Sequence, residues 1–189
     1  MKKHYITANE LLLDAFKLAK LTHEKGFIPH FIIGIWRGGA PVGIAVQEYF
    51  EYMGIKTDHI AIRTSSYTGI NQQDKNVKVF GLNYVIDTVT PDMKVLIVDD
   101  VFDSGRSVRA VLEKIRKKAG KRTPHEIKIA CPWFKPTKNQ TRLTPDFFVH
   151  TTEQWLVFPH ELQGLSIEEI AENKGEELAQ LLRDKMHKE

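Results

Sequence analysis

The 189-residue chain carries 27 Lys and Arg against 24 Asp and Glu, a net charge of +3, with 42% apolar residues and one cysteine. That length and balance fit a single folded domain with a sizeable core, and one cysteine excludes an internal disulfide and a zinc cluster resting on thiolates. No apolar run reaches membrane-spanning length, and MKKHYITANE leads into an amphipathic helix rather than a signal peptide, so a cytoplasmic protein with no membrane partner is expected.

Thr7 and Glu10 have capping-box spacing, and Leu12, Ala15, Phe16 and Ala19 form one apolar stripe, which predicts a first helix over about 9–22. Phe31 to Ile35 reads as a buried strand. It opens into Trp36-Arg37-Gly38-Gly39, and Pro41 stands near the start of a helix whose apolar side is Val42, Ala45, Val46 and Tyr49. A strand, a Gly-Gly turn and a helix start can seat an anion on the backbone amides of residues 36–39, with Arg37 as a charged neighbour. Residues 55–63 supply another strand. The polar, apolar-poor stretch 64–78 then reads as a long mobile loop, which in a compact domain is functional or disordered. Residues 77–86 are expected to return as a strand, and Pro91-Asp92 to turn into the next one.

That next segment is VLIVDDVFDSGRSV, Val95 to Val108. Val95, Leu96, Ile97 and Val98 are continuously apolar, as a strand buried on both faces of a parallel sheet must be. Asp99 and Asp100 cannot lie inside such a sheet unpaired, which places them at its carboxyl end, at a water-facing mouth where open α/β sheets bind ligands. Asp103-Ser104-Gly105-Arg106-Ser107 follows, and Val108, Val111, Leu112 and Ile115 then recur at helical spacing. The polar turn is therefore a helix start, whose free N–H groups and dipole suit a phosphate. Ser104 and Ser107 can add hydroxyl donors, and Gly105 allows close backbone approach. Two carboxylates beside that cradle attract hydroxyls and a divalent cation, so a phosphorylated sugar meets both needs.

Beyond the helix, the basic run 114–121 reads as an exposed helix end. Residues 127–133 form a further strand holding Cys131, a buried structural thiol, and Lys135-Pro136 lies just past its end. Polar residues 137–142 follow, then Phe147 to Val149 and the segment TTEQWLVFPHEL, which carries Trp155, Leu156 and Glu161. Ser166 and Glu169 have capping-box spacing, and Ile167, Ile170, Leu178, Leu181 and Leu182 suggest helical packing to the end. Residues 161–189 hold eight acids against four Lys or Arg, so the remainder carries seven excess positive charges that can draw anionic small molecules. No basic run with interleaved aromatics points to nucleic acid.

The segment from Val95 to Val108 resembles, without a gap, the phosphoribosyl pyrophosphate signature of the type I phosphoribosyltransferases. The resemblance implies an α/β fold with a central, mostly parallel sheet and helices on both faces. It implies one domain over 1–189, with a flexible loop at about 64–78 and a base-binding hood at about 133–165. Asp99 and Asp100 would contact the ribose hydroxyls, and Asp103, Ser104, Gly105, Arg106 and Ser107 would wrap the 5-phosphate. Arg37, Gly38 and Gly39 are similar to the pyrophosphate loop of xanthine and guanine phosphoribosyltransferases, and Ser66 and Tyr67 to the Ser-Tyr pair of the family's closing loop. The stretch 71–74 lacks the arginine that some relatives place there. Lys135 matches the lysine that meets the purine 6-oxo group, and Trp155, with Leu156 beside it, the tryptophan that stacks on the base. Mg2+ is the implied cofactor, held by Asp99 and Asp100 through ribose hydroxyls or water, with Glu161 a further contributor.

The function so implied is purine salvage: transfer of the phosphoribosyl group to N9 of xanthine, guanine or hypoxanthine, with Asp103 as the acid or base that handles the purine proton. A homodimer or higher homo-oligomer is the implied assembly. A phosphoribosyl-pyrophosphate-binding regulator without transferase activity and a pyrimidine phosphoribosyltransferase are the alternatives. A signalling receiver domain also carries Val-Leu-Ile-Val-Asp-Asp, but in its first strand, whereas here the acidic pair follows a whole βαβ unit.

Overall fold

In the computed structural model, residues 3–66 and 77–186 are described, and the chain divides into two compact units, Leu12–Glu153 and Met1–Leu11 with Gln154–Glu189.

The larger unit is organised on a sheet whose middle strands are the two most apolar segments of the sequence. These are β2 (Phe31–Trp36) and β5 (Lys94–Val98). Phe31, Ile33, Val95, Leu96, Ile97 and Val98 have no exposed surface, which is the burial on both faces that their unbroken apolar runs require. β2 pairs in parallel with β5 on one side and with β3 (Asp58–Ser66) on the other. Antiparallel β4 (Val77–Phe80) closes the β3 edge. β5 pairs in parallel with β7 (Glu126–Phe134), which also carries β8 (Phe147–Thr151) and the two-residue β6 (Val101–Phe102). The helices are α1 (Ala8–Glu24), α2 (Gly39–Tyr52), α3 (Asn83–Thr88) and α4 (Arg106–Ala119). The α/β fold with a mostly parallel sheet is therefore observed.

Chain order creates a crevice in this sheet. From β2 the chain passes through α2 to β3 on one side, and from β5 through α4 to β7 on the other. The adjacent strands β2 and β5 thus send their carboxyl-terminal connections in opposite directions, which is the switch point where open α/β sheets receive ligands. The β2–β5 ladder stops at Gly34 and Val98, so the segments beyond are free to part.

Three sequence expectations need correction. The stripe on α1 lies one residue over: Leu11, Ala15, Leu18, Ala19 and Thr22 are buried, while Leu12 and Phe16 are exposed. Residues 77–86 do not form one strand, because the chain turns at Gly81 and Leu82, Val85 and Val89 then take helical spacing into the core around α3. The carboxyl-terminal helix is broken at Gly175 into α5 (Ile167–Lys174) and α6 (Glu176–Met186).

The smaller unit pairs β1 (Lys3–Tyr5) in parallel with β9 (Trp155–Val157). The Ser166–Glu169 capping box forms as expected, and the same Glu169 accepts from Lys3 Nζ and Tyr5 Oη. Those hydrogen bonds, Lys3's first, lower its carboxyl to about 2. No helix among the described residues is long and apolar enough to cross a membrane.

Candidate active site

Two chain segments meet at the crevice between β2 and β5. The first leaves β2 at Trp36, where the Trp36–Arg37 peptide bond is cis, and enters α2 at Gly39. Trp36 and Arg37 are exposed, Gly38 and Gly39 buried. The second leaves β5 at Asp99 and Asp100, makes the short β6, and turns through Asp103, Ser104 and Gly105 into α4.

Asp99 and Asp100 interrupt a single strand line. Val98 pairs with Ala130 and Val101 with Trp133, so β5 and β6 keep one register on β7 and the acidic pair stands opposite Cys131 and Pro132. Contrary to the expectation of a water-facing pair, Asp100 is only 8% exposed. The cost of burial is offset by N–H donors: Val101 donates to Asp100 Oδ1 at 2.8 Å and Asp100 to Asp99 Oδ1 at 3.1 Å, while the Gly39 N–H also points to Asp99. Gly39's amide, one of those expected to hold a second anion, is thus directed to a carboxylate in this structure. A Cβ on Gly38 would fall 1.7 Å from Asp100 Oδ2, so the loop must carry glycine to lie against the acids. This contact was not legible in the sequence, since its partners are some sixty residues apart.

Burial, and after it repulsion from Asp100, holds the Asp99 carboxyl well above the usual carboxylate range. A carboxyl raised on folding favours the folded state below its unfolded value and loses that contribution as pH climbs through the folded value. Asp99→Asn is therefore expected to raise the melting midpoint at neutral pH. A gain of order 1 kcal/mol moves it by about 2–4 °C at this size. The gain should shrink at about pH 4. Calorimetry at the two pH values checks this; a lower midpoint at neutral pH would contradict it.

The turn into α4 has the form that a phosphate needs. Gly105 takes the left-handed backbone with φ of +73°, and a side chain there would meet Thr141 Oγ1 at 2.6 Å and Phe102 Cζ at 2.7 Å. Arg109 makes the first helical bond, to the Gly105 carbonyl at 3.0 Å, and ahead of it the Arg106 N–H points to Ser104 Oγ at 3.5 Å. A cavity of about 80 Å³ lies there, lined by Asp99, Val101, Asp103, Ser104, Gly105 and Ser107, among others. Asp103 is half-exposed at its rim, and Lys135 Nζ approaches Asp103 Oδ2 to 3.7 Å from a side chain only 10% exposed. Lys135 is fixed by its own amide, which donates to the Phe102 carbonyl at 2.9 Å.

Arg106 is the first residue of α4, and Ser66 the last of β3, paired with Val77. Tyr67 and most of the expected mobile loop, residues 67–76, lie outside the described residues. Trp155, Leu156 and Glu161 belong to the smaller unit. There Trp155 is 57% exposed, Leu156 is buried, and Glu161 accepts from the Phe158 N–H at 3.1 Å. Cys131 is buried, and burial pushes its thiol up, as a structural role requires.

No group of three or more His, Cys, Asp or Glu side chains among the described residues could enclose a metal. Asp99 and Asp100 offer two adjacent hard oxygen donors, which suits magnesium completing its shell with water and substrate oxygens.

Comparison with known proteins bears on this geometry. Residues 5–165 match the family model described as the phosphoribosyl transferase domain. Over 148 residues the chain is 24% identical to the hypoxanthine-guanine phosphoribosyltransferase of Lactococcus lactis, covering 78% of this chain and 75% of that one. The crystal structure of a purine phosphoribosyltransferase from Pyrococcus horikoshii Ot3 is 30% identical with a TM-score of 0.66, covering 88% of this chain and 98% of that one. The Helicobacter pylori xanthine-guanine-hypoxanthine phosphoribosyltransferase shares the fold, with a TM-score of 0.64 at 21% identity and coverage of 83% and 92%.

Proposed function

The chain belongs to the phosphoribosyl transferase family, in its purine branch, and from that premise we propose that it joins a 6-oxopurine to the ribose of phosphoribosyl pyrophosphate at the β2–β5 crevice. The observation that carries the reading is the meeting of the two loops there: the Gly105 turn surrounds a phosphate-sized cavity while Asp99 and Asp100 stand beside it, against Gly38 and Gly39.

In this reading the 5-phosphate sits on the amides that open α4, with the hydroxyls of Ser104 and Ser107. The ribose diol faces the acidic pair. Pyrophosphate lies toward Trp36–Gly39, where Arg37 extends into solvent as a cation for it. The bond formed joins purine N9 to C1 of the ribose; the bond broken is C1 to the pyrophosphate oxygen, which leaves with its electron pair. Positive charge develops on the sugar in between, so the protein's contribution is placement and charge stabilisation. Asp103 takes the proton that the purine must lose. Lys135, held nearby, donates to the 6-oxo group, an ammonium matched to a carbonyl acceptor. Asp99 and Asp100 would hold magnesium through water or the ribose hydroxyls, and the ion would supply neutralisation of the phosphate charge beside them.

Self-association into a dimer or larger assembly is part of this reading. An apolar groove between α2 and β3, lined by Ile32, Ile44 and Ala61 with Trp36 at hand, supports it, since Ile44 is 65% and Trp36 54% exposed.

The test is transfer of radiolabelled xanthine, guanine and hypoxanthine, with phosphoribosyl pyrophosphate as donor. Formation of labelled nucleotide from at least one of them is the expected result. Binding of phosphoribosyl pyrophosphate without transfer to any purine or pyrimidine would replace the enzyme with a sensor, and transfer to a pyrimidine alone would change the base class.

A further inference from the structure

Residues 135–143 form a polar stretch outside the expected functional residues except at Lys135, yet they are bonded to both ends of the phosphate turn. At one end the Lys135 N–H donates to the Phe102 carbonyl at 2.9 Å. At the other, the Gln140 N–H donates to the Ser104 carbonyl at 3.0 Å, and Thr141 Oγ1 lies where a Cβ on Gly105 would be 2.6 Å away. The turn that encloses the cavity is therefore backed along its length by one segment.

That segment is internally locked. Asn139 Oδ1 accepts from both the N–H and the hydroxyl of Thr141, each at 2.9 Å, and Asn139 Nδ2 donates to the Leu143 carbonyl at 2.7 Å. Thr141 Oγ1 in turn accepts from the Leu143 N–H at 3.2 Å. The hydroxyl is held as donor and acceptor at once, and together with the Phe102 ring it limits the space behind Gly105. A turn whose amides must converge on one anion gains from a rigid backing, because displacements of under an ångström weaken several charge-assisted hydrogen bonds together.

We propose that Asn139 and Thr141 are positioning residues for the phosphoribosyl pyrophosphate site, acting through Ser104 and Gly105 to hold the phosphate turn in its binding shape; this rests on the function proposed above. They touch no substrate themselves.

Thr141→Val keeps the side chain's shape while removing both of its hydrogen bonds, and Asn139→Ala removes the anchor. In each, the KM and the calorimetric Kd for phosphoribosyl pyrophosphate are expected to rise about tenfold, as losing roughly one hydrogen bond's worth of preorganisation implies. The KM for the base and kcat should stay within about twofold, and Thr141→Ser should restore wild-type affinity. Unchanged affinity for phosphoribosyl pyrophosphate in both variants would overturn the inference. So would a parallel rise in both KM values with a falling melting midpoint, which marks general loosening. A wild-type protein that fails to bind phosphoribosyl pyrophosphate would instead overturn the functional reading beneath it, and a variant-specific loss cannot be mistaken for that.

Discussion

Asp103→Asn is expected to lower kcat by about 10²- to 10⁴-fold while leaving the KM for phosphoribosyl pyrophosphate within a few-fold of wild type. The two effects separate because of where Asp103 sits. Its carboxylate is half-exposed at the rim of the phosphate cavity, 3.7 Å from Lys135 Nζ. The donors assigned to the phosphate are backbone N–H groups and serine hydroxyls, which the substitution leaves in place. Asparagine preserves size and shape but can neither accept the purine's proton nor balance the Lys135 charge. The loss should therefore fall on the step in which N9 bonds to C1 and the proton departs. Steady-state kinetics with each substrate varied, together with the pH dependence of kcat, checks this. An unchanged turnover number would remove Asp103 from the chemistry, and a large rise in the KM for phosphoribosyl pyrophosphate would place it in binding.

The part of the site that could be read from the sequence is the part made of neighbours in the chain. Val95 to Val98, the acidic pair and the Asp103–Ser107 turn announce themselves because an apolar run, two carboxylates and a helix start fall within fourteen residues, and the structure puts them at the end of β5 and the head of α4. What local sequence does not display depends on distant contacts. The burial of Asp100 follows from Gly38 lying against it, and nothing in either local sequence states that pairing. Asn139-Gln140-Thr141 looks like an ordinary polar loop until Gln140 is seen bonded to Ser104. Around residues 77–86 the helical signal is present in the sequence, since Leu82, Val85 and Val89 stand at helical spacing after Gly81. β1 and β9 have three residues each, too short for an alternating pattern to declare itself.

Gly39→Ala is expected to cost at least about 10²-fold in kcat/KM, together with roughly 1–3 kcal/mol of stability. A methyl group there would lie 2.5 Å from the Val98 carbonyl oxygen and 2.9 Å from Asp99 Cα. Both are main-chain atoms that no rotamer change can move. Val98 cannot retreat either, because it is fully buried and paired with Gly34 of β2 and Ala130 of β7. The loop must therefore withdraw from the acidic pair, breaking the Gly39 N–H contact to Asp99 and carrying Arg37 and Gly38 with it. The stability loss corresponds to a fall of about 2–4 °C in the melting midpoint per kcal/mol. Gly43→Ala, four residues along the same helix, is the contrasting substitution. Its methyl would meet Gly34 Cα at 3.5 Å, an ordinary contact, and a mid-helix glycine replaced by alanine gains roughly 0.5–1 kcal/mol in helix propensity. The pair thus separates a requirement for glycine at one close approach from a general sensitivity of α2. Wild-type efficiency and an unchanged midpoint in Gly39→Ala would mean that the two loops do not meet as described, and with that contact would go the argument that they enclose a single substrate.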